Sequence, residues 1–276
     1  MAESPPVRQW RHEFVLVRRL IKARIRSDWQ YRVSFIALMT SQAAFTALEF
    51  VTLLLILRLV PTIGGWTGAE VAMLYGLSAL SFGVADMLFG SVERLSTYVQ
   101  QGEFDRVLLR PVSPLLQLVA LEFELRRAGK MVPPMLVLGW AVANVEIGWT
   151  PARALLLVAA VVSGSVIYAA LWILSASVSF WAVASKEAAN AFTYGGQFAN
   201  EYPLHLYRNW IRVVLGWAIP LAFVAYVPVQ SLLDAANPLG LPSWLVFTVP
   251  LVAAGTLASA LTVWRTGIRH YQSTGS

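Results

Sequence analysis

Glu49 and Asp86 are the two carboxylates that lie inside long apolar stretches of the chain, and neither has a basic residue close by in the sequence. A charged carboxylate at the centre of a bilayer costs roughly 2.5–3.5 kcal/mol on insertion scales, so such a residue is usually paired or functional. Facing a cavity, the two would attract a cationic or amphipathic substrate, or take up protons during transport. The alternative is a buried polar contact with nearby serine or threonine hydroxyls, or a position close to the end of a span.

The residues that most often carry catalysis or bind metals are either missing from the chain or lie outside its apolar stretches. The chain has no cysteine, which excludes disulfides, thiolate metal sites and a cysteine nucleophile. All three histidines fall outside the apolar stretches, and no H-E-x-x-H motif is present. The only Gly-Lys pair, Gly129-Lys130, lacks the first glycine and the hydroxyl residue of a P-loop, so the chain cannot hydrolyse ATP by that route. We therefore expect a chain without catalysis of its own, holding no metal and no cofactor.

The composition is that of a membrane protein. Of the 276 residues, 57% are hydrophobic and 13% charged, with a mean hydropathy of +0.61, whereas an average soluble protein is about a quarter charged. Six apolar runs could each cross a bilayer. They cover about residues 33–57, 69–92, 131–145, 152–183, 211–233 and 244–264. We expect an all-α polytopic protein with six transmembrane helices, in which residues 1–276 form a single transmembrane domain.

The distribution of basic residues predicts the orientation. Nineteen of the 21 fall in residues 1–32, 93–130, 184–210 with the adjoining Arg212, and the C-terminal tail, which leaves only Arg58 and Arg153 for the opposite side. The positive-inside rule then puts both termini in the cytoplasm and the chain in the cell inner membrane. The basic segments alternate with the apolar runs along the chain. The basic pI near 9.8 therefore indicates membrane topology and not a nucleic-acid partner.

The N-terminal segment has the pattern of an amphipathic helix. Trp10, Phe14, Val17, Ile21 and Ile25 recur at helical spacing, while most basic residues lie off that face. Such a helix should lie in the cytoplasmic membrane interface and contact the lipid bilayer. It either only anchors the first span or also transmits motion from a cytoplasmic partner. The residues predicted to form this surface are Trp10, Arg11, Phe14, Arg18, Arg19, Lys22 and Arg26.

Residues 93–114 predict two short helices with a turn between them. A helix from about Ser91 should end at Gly102, which accepts the left-handed conformation of a helix C-terminus. Asp105 can then cap the next turn, and Pro111 and Pro114 prevent one continuous helix. Both helices carry apolar faces flanked by charges. A soluble partner could bind such a segment, but an ordinary loop packed against the spans is the alternative.

The stretch GEFDRVLLRPVSP, residues 102–114, resembles the G-x-[FL]-D-x-x-L-x-[RK]-P element of type-2 ATP-binding-cassette (ABC) exporter permeases. Residues 121–127, 202–204 with 220–228, and 267–276 resemble one branch of that superfamily, labelled uncharacterised or viologen-exporter-type. Together these stretches span most of the chain. The single motifs are weak, but their order, combined with six spans and two cytoplasmic termini, is fairly specific.

The resemblance implies that transport and ATP hydrolysis are carried out by different subunits. Such a permease forms half of a translocation pathway, pairs with a second permease that is a paralogous chain or another copy, and docks ABC ATPase subunits that use ATP and Mg. Phe104 would be an apolar plug in the ATPase, with Asp105, Arg106 and Arg110 as polar contacts. The ATPase-coupling residues implied are Glu93, Arg94, Tyr98, Gly102, Glu103, Phe104, Asp105, Arg106, Arg110 and Pro111. The substrate would be a cationic or amphipathic small molecule or a lipid-like compound.

Two further segments have open interpretations. Glu122 and Arg126 form an i,i+4 pair that is typical of a solvated helix face. Residues 184–210 form either a second cytoplasmic contact region or an interfacial helix. Two other functions also stay open: a secondary transporter, which should show repeated broken spans although only residues 211–233 have internal prolines, and a non-transporting membrane assembly protein.

Overall fold

The computed structural model describes residues 6–59, 62–110, 112–182, 186–233 and 239–271, without the side chains of residues 6–14 and 186–192. These parts of the chain are mostly helical, with one antiparallel hairpin of β1 (Thr62–Ile63) and β2 (Trp66–Thr67). The α-helices are α1 (Pro6–Gln30), α2 (Arg32–Leu59), α3 (Gly68–Phe89), α4 (Leu95–Gln100), α5 (Phe104–Leu108), α6 (Pro114–Leu121), α7 (Val132–Asn144), α8 (Pro151–Ser177), α9 (Lys186–Ala199), α10 (Asn209–Val213), α11 (Tyr226–Leu233) and α12 (Val249–His270). Shorter helical turns cover Gly90–Arg94, Leu125–Met131, Val178–Phe180, Leu204–Leu206, Val214–Ala218, Leu221–Phe223 and Ser243–Thr248.

Four helical segments are long and apolar enough to cross a membrane: Arg32–Leu59, Gly68–Gln100, Pro151–Phe180 and Ser243–His270. They match four of the six predicted runs and confirm an all-α membrane protein. Local sequence explains where two of them begin. Thr67 and Glu70 form a reciprocal capping box at the start of α3, and Thr150 caps α8 directly before Pro151.

The helix bundle has two different ends. We call the end that carries β1 and β2 the hairpin end. The opposite end, which carries residues 86–94 and 122–131, we call the charged end. Helix α3, with 22 residues, is roughly 33 Å long and reaches from one end to the other, about the thickness of a hydrocarbon core.

The predicted third span corresponds to α7, whose 13 residues are too few to cross a bilayer alone. The turn Leu125–Met131 precedes it directly, so the helical run is longer than α7 itself. Gly129 lies against the backbone of Met39 at the charged end, while Trp140 lines a cavity with Gly68 at the hairpin end. By length and composition the third span is not confirmed, although its contacts connect both ends.

The predicted fifth span, residues 211–233, is not confirmed, because the helix is broken in its middle. Asn209–Ala218 and Leu221–Leu233 are bent by 71° relative to each other. The break falls at Ile219 and Pro220, since proline has no backbone N–H to continue the helix. Pro220 lines a cavity with Ser175, close to the end of α8, whereas Ser231 lines one with Thr150, where α8 begins. The second arm therefore returns to the hairpin end.

The placement of residues 184–210 on the cytoplasmic side stays a prediction, but the contacts of this segment reach both ends of the bundle. The Tyr194 hydroxyl contacts Glu93 Oε2 at 3.5 Å at the charged end. Eleven residues later, His205 Nε2 lies 2.9 Å from the carbonyl oxygen of Gly64 in the hairpin. Because these contacts lie at opposite ends of α3, the segment runs the length of the bundle. Helix α9, and not the bent pair, makes this passage.

Helix α3 is the centre of the fold, and α2 lies at its edge. In its most apolar window α3 is 78% buried, whereas the corresponding window of α2 is only 6% buried. Gly76 allows α3 to pack directly on the backbone of Leu138 in α7, and Gly164 of α8 lies against Ser81. Large apolar side chains of α2, such as Phe45 and Leu48, are exposed on the bundle surface.

Helix α1 confirms the predicted N-terminal helix. Val17, Ile21 and Ile25 are half-buried, and the predicted surface cations are exposed, namely Arg18, Arg19, Lys22 and Arg26. The side chains of Trp10, Arg11 and Phe14 lie outside the described residues. The helix contacts α6 and α2, so part of its apolar face packs on the protein. Its contact with lipid stays a prediction.

Candidate functional site

The two short helices predicted after Ser91 are present as α4 and α5. Gly102 lies between them with φ of +68°, a conformation that residues with a Cβ rarely adopt. The predicted cap at Asp105 is wrong, because Asp105 lies within the first turn of α5 and Glu103 occupies the N-cap position. We call residues 95–110 the coupling element, after the role that the family resemblance implies for them.

One face of the coupling element is packed into the bundle. Leu95 and Val99 of α4, and Phe104 and Val107 of α5, are all buried. They join a hydrophobic cluster with residues at the ends of α8 and α12: Ala170, Ile173, Ala176, Ala260 and Trp264. The inner face of the element is therefore packed against two long helices.

Phe104 belongs to this inner face. Its side chain is 0% exposed, and its ring lies 5.4 Å from that of Phe180 and 5.1 Å from that of Tyr271. No surface of Phe104 is left for a partner, so its predicted role as an apolar plug does not fit this structure. Leu109, directly after α5, is 84% exposed and lies between exposed Arg106 and Arg110. Pro111 lies outside the described residues.

Asp86 has two basic partners that its sequence neighbourhood did not indicate. Its carboxylate is 0% exposed, accepts a hydrogen bond from Arg127 Nη1 and lies 2.7 Å from Lys130 Nζ. Both partners come from the turn Leu125–Met131, more than forty residues further along the chain. Of the environments proposed for Asp86, the structure agrees with a position close to the end of a span, because Asp86 lies three residues before the end of α3. Its charge is balanced by these two cations and not by serine hydroxyls.

Glu124 connects this pair to further charges. Its carboxylate binds Arg127 at 3.0 Å, Arg126 at 2.7 Å and Arg94 at 3.1 Å. Burial alone would raise the pKa of Glu124, but hydrogen bonds and charges from Arg127 and Arg126 outweigh it and hold the pKa below its usual range. Burial likewise opposes the charge of Arg127, yet Asp86 and Glu124 raise its pKa.

Glu122 is not part of a solvated helix face. It pairs with Arg94 and accepts a 2.8 Å hydrogen bond from the Tyr98 hydroxyl in the coupling element. We call the connected groups the charge network: Asp86, Arg94, Glu122, Glu124, Arg126, Arg127 and Lys130. It joins the coupling element to α3 and to the segment before α7.

A second carboxylate inside the bundle, Glu201, was not singled out by the sequence. It is 6% exposed and accepts a 3.1 Å hydrogen bond from Gln197. Next to it, Asn200 donates to the Tyr168 hydroxyl, which lies 3.0 Å from Ser78. The basic residues on either side of this segment made it look cytoplasmic. The sequence feature that could have indicated a position inside the bundle is that Glu201 is an acidic residue between two apolar helical runs.

Glu49 is half-buried on α2 and close enough to Glu201 for the two carboxylates to repel each other. The sequence paired Glu49 with Asp86, but their contacts differ. Asp86 has two cations within hydrogen-bond distance, whereas Glu49 is half-buried on α2 near Glu201, which accepts its hydrogen bond from Gln197.

Among the residues that the structure describes, no three histidine, cysteine or carboxylate side chains are grouped to hold a metal ion. At the charged end, the charge network connects the coupling element to α3, and the hydrophobic cluster connects it to α8 and α12.

Comparison with known families identifies the chain. The family described as ABC-2 family transporter protein matches residues 43–275, which is most of the chain and includes the coupling element, the charge network and Glu201. Curated proteins and solved structures gave no match. The chain therefore belongs to the ABC-2 family of transporter proteins, as a membrane-embedded permease whose family implies an ABC ATPase partner.

Proposed function

We propose that the chain is the permease subunit of an ATP-driven exporter, that it forms half of the translocation pathway, and that separate ATPase subunits dock on its coupling element. The fixed inner face and exposed outer face of this element carry the proposal. A force that the ATPase exerts on Leu109, Arg106 or Arg110 would be transmitted to α8 and α12 through the buried cluster. In this proposal the chain binds no nucleotide, and its partner uses ATP and Mg.

Docking would use the outer face of the coupling element. Leu109 offers an apolar side chain for a pocket, and Arg106 and Arg110 offer cations for an acidic rim. Few interface residues supply most of the binding energy, and they lie at the centre of a contact. Leu109 thus takes the role that the resemblance gave to Phe104, while Phe104 holds the element on the bundle.

The charge network supplies a second route for movement. Arg94 lies just before α4, and its partners Glu122 and Glu124 lead to Arg127 and through it to Asp86 of α3. Gly129, in the same turn as Arg127, touches Met39 of α2. A displacement of the coupling element would reach α2 and α3 together.

A second permease would complete the pathway. Helix α2 is the least buried of the long helices and presents Phe45, Leu48 and Leu55. A paralogous chain or a second copy would cover part of this face, and lipid would cover the remainder. Glu49 lies on this helix, so the pathway would run between the two permeases.

The substrate class follows from Glu49 and Glu201. Two carboxylates near each other in a membrane interior favour a cationic or amphipathic compound, whose charge would reduce their repulsion. Asp86 is removed from the predicted pathway, because its charge is already balanced. The viologen-exporter-type branch stays a prediction.

We propose six crossings with both termini in the cytoplasm of an inner-membrane protein. The crossings are α2, α3, the run through α7, α8, α9 with the residues up to His205, and α12. With α9 as the fifth crossing, Arg208 and Arg212 move to the hairpin side, so the basic residues divide 17 to 4 instead of 19 to 2. The positive-inside rule still favours a cytoplasmic charged end.

Co-expression of the chain with its ATPase tests the docking surface. Leu109→Ala should weaken co-purification about tenfold or more and uncouple ATP hydrolysis from transport, as for a buried anchor in an interface, with no loss of thermal stability. Leu59→Ala is the matched control, since Leu59 is 83% exposed at the hairpin end. Phe104→Ala should instead destabilise the fold by about 3 kcal/mol through a core cavity.

Two results would overturn the proposal. Equal ATPase binding by the Leu109 and Leu59 variants would remove the docking surface. Transport that continues in proteoliposomes without any ATPase would identify an ion-gradient transporter instead.

The substrate proposal is tested with a charged and a neutral probe of similar size. Glu49→Gln and Glu201→Gln should each reduce export of tetraphenylphosphonium several-fold relative to neutral triphenylphosphine oxide, because only the cation gains from the carboxylates. Glu146→Gln, on an exposed loop, is the control. Equal loss of both probes would make the two carboxylates structural.

A further inference from the structure

A slot of about 680 Å³ opens between the start of α8, the start of α12 and α11, at the hairpin end. Thr150, Arg153 and Ser243 supply polar atoms to its lining, where α8 and the last helical segment begin. The remaining lining is mostly apolar and includes Leu156, Ala159, Ala160, Val246 and Val249. One cation above an apolar interior is a combination that matches an amphipathic ligand.

The depth of the slot corresponds to one bilayer leaflet. Ten residues of α8 separate Thr150 from Ala160, which is about 15 Å along the helix and half of a hydrocarbon core of about 30 Å. Ala152 and Ala159 lie two turns apart on the same face of α8. Because both side chains are small, they leave room for a hydrocarbon chain against the helix.

Arg153 is held at the mouth by local contacts. Its backbone N–H donates to the Thr150 hydroxyl, and its Nη1 donates to the Gly148 carbonyl at 3.3 Å. Trp244, 60% exposed, flanks the same opening, as expected for tryptophan at the level of lipid headgroups. The guanidinium is thus positioned at headgroup depth.

A second cavity at the same end repeats the pattern. Arg58, in the last turn of α2, lines a space of about 400 Å³ that is otherwise mostly apolar, with Leu54, Leu55 and Trp140 among its lining residues. Two arginines of the hairpin end therefore each stand beside an apolar space. This repeated charge arrangement complements an anionic headgroup with an attached acyl chain.

We propose that the slot between α8 and α12 binds a phospholipid with its phosphate on Arg153 and an acyl chain along Ala159 and Ala160. The site is independent of the transport pathway proposed above. It is a resident lipid site that fills the gap between α8 and α12 near the hairpin end.

Photo-crosslinking tests the proposal on the full-length chain in nanodiscs. The probe is phosphatidylglycerol with a diazirine on one acyl chain, and the labelled peptides are identified by mass spectrometry. Labels should concentrate in residues 152–160 and 243–250. Arg153→Ala should lower that labelling about fivefold, the factor expected for one cation at an anionic surface.

Two further variants separate a lipid site from general contact with the bilayer. Arg208→Ala removes an exposed arginine that does not line the slot and should leave labelling unchanged. Ala159→Phe fills the interior while keeping Arg153 and should also reduce labelling. Uniform labelling along all exposed helices, or labelling in the slot that neither Arg153→Ala nor Ala159→Phe lowers, would overturn the proposal.

Discussion

The two ends of the bundle are held together by different chemistry. At the charged end, buried carboxylates and cations connect segments that are distant in the sequence, from Asp86 to Lys130. At the hairpin end, the ring of Trp66 stacks on that of Tyr226 at 5.6 Å, and His205 binds the Gly64 carbonyl. Ion pairs keep a defined geometry but depend on every partner, whereas stacked rings tolerate small displacements. The charged end therefore depends on charge contacts between distant segments, whereas the hairpin end depends on ring packing and a contact to the backbone.

The largest expected effect comes from removing the centre of the charge network. Asp86→Asn should lower the free energy of unfolding by about 3 kcal/mol, the lower end of the range for a broken buried ion pair, because Arg127 would keep only Glu124 as its counter-charge and Lys130 would lose its partner. Thermal unfolding of the purified protein in detergent would measure it. The double variant Asp86→Asn/Arg127→Gln should recover part of the loss. Equal stability of the single variant and the native chain would mean that the network is not structural.

A smaller effect is expected at the hairpin. Gly64 has φ of +61°, and a Cβ there would run into the His205 ring. Gly64→Ala should cost about 1–2 kcal/mol from the backbone conformation, with a further loss from displacing His205. Gly65→Ala is the matched control, since Gly65 also has a positive φ, of +85°, but open space beside it. Similar losses in the two variants would show that the His205 contact contributes nothing to stability.

The smallest effect concerns pH. The pKa of Glu124 is lower in the folded protein than its usual value. Its contribution to stability is therefore complete above the ordinary carboxyl pKa and is lost as the pH falls through the lowered value. Glu124→Gln should therefore flatten the acid side of a profile of stability against pH, measured by thermal unfolding. Parallel profiles for the native chain and Glu124→Gln would contradict the assignment.

Local patterns in the sequence predicted the parts of the fold that depend on neighbouring residues. The amphipathic face of α1 and the left-handed Gly102 both follow from spacing and residue type. The division of residues 93–110 into two helices follows as well. The ABC-2 family resemblance rested on the same stretch.

Contacts between distant segments could not be predicted in this way. Asp86 finds its cations 41 and 44 residues later, and His205 lies 141 residues from Gly64. The burial of Phe104 depends on α8 and α12, which no local pattern around residue 104 contains. The sequence placed Glu201 on the cytoplasmic side because three basic residues lie near α9. The positive-inside rule gave those charges more weight than one short apolar helix.

The bent pair around Pro220 also has a consequence for how the chain is inserted during synthesis. Helix α8 ends at the charged end and α12 begins at the hairpin end. In the proposed topology the chain between them would therefore cross the bilayer an odd number of times, once through α9 and the residues up to His205. Were residues 209–233 to cross as well, α12 would begin on the opposite side of the bilayer, and the C-terminal tail would change sides with it. In that topology the 71° break would decide on which side of the membrane the chain ends.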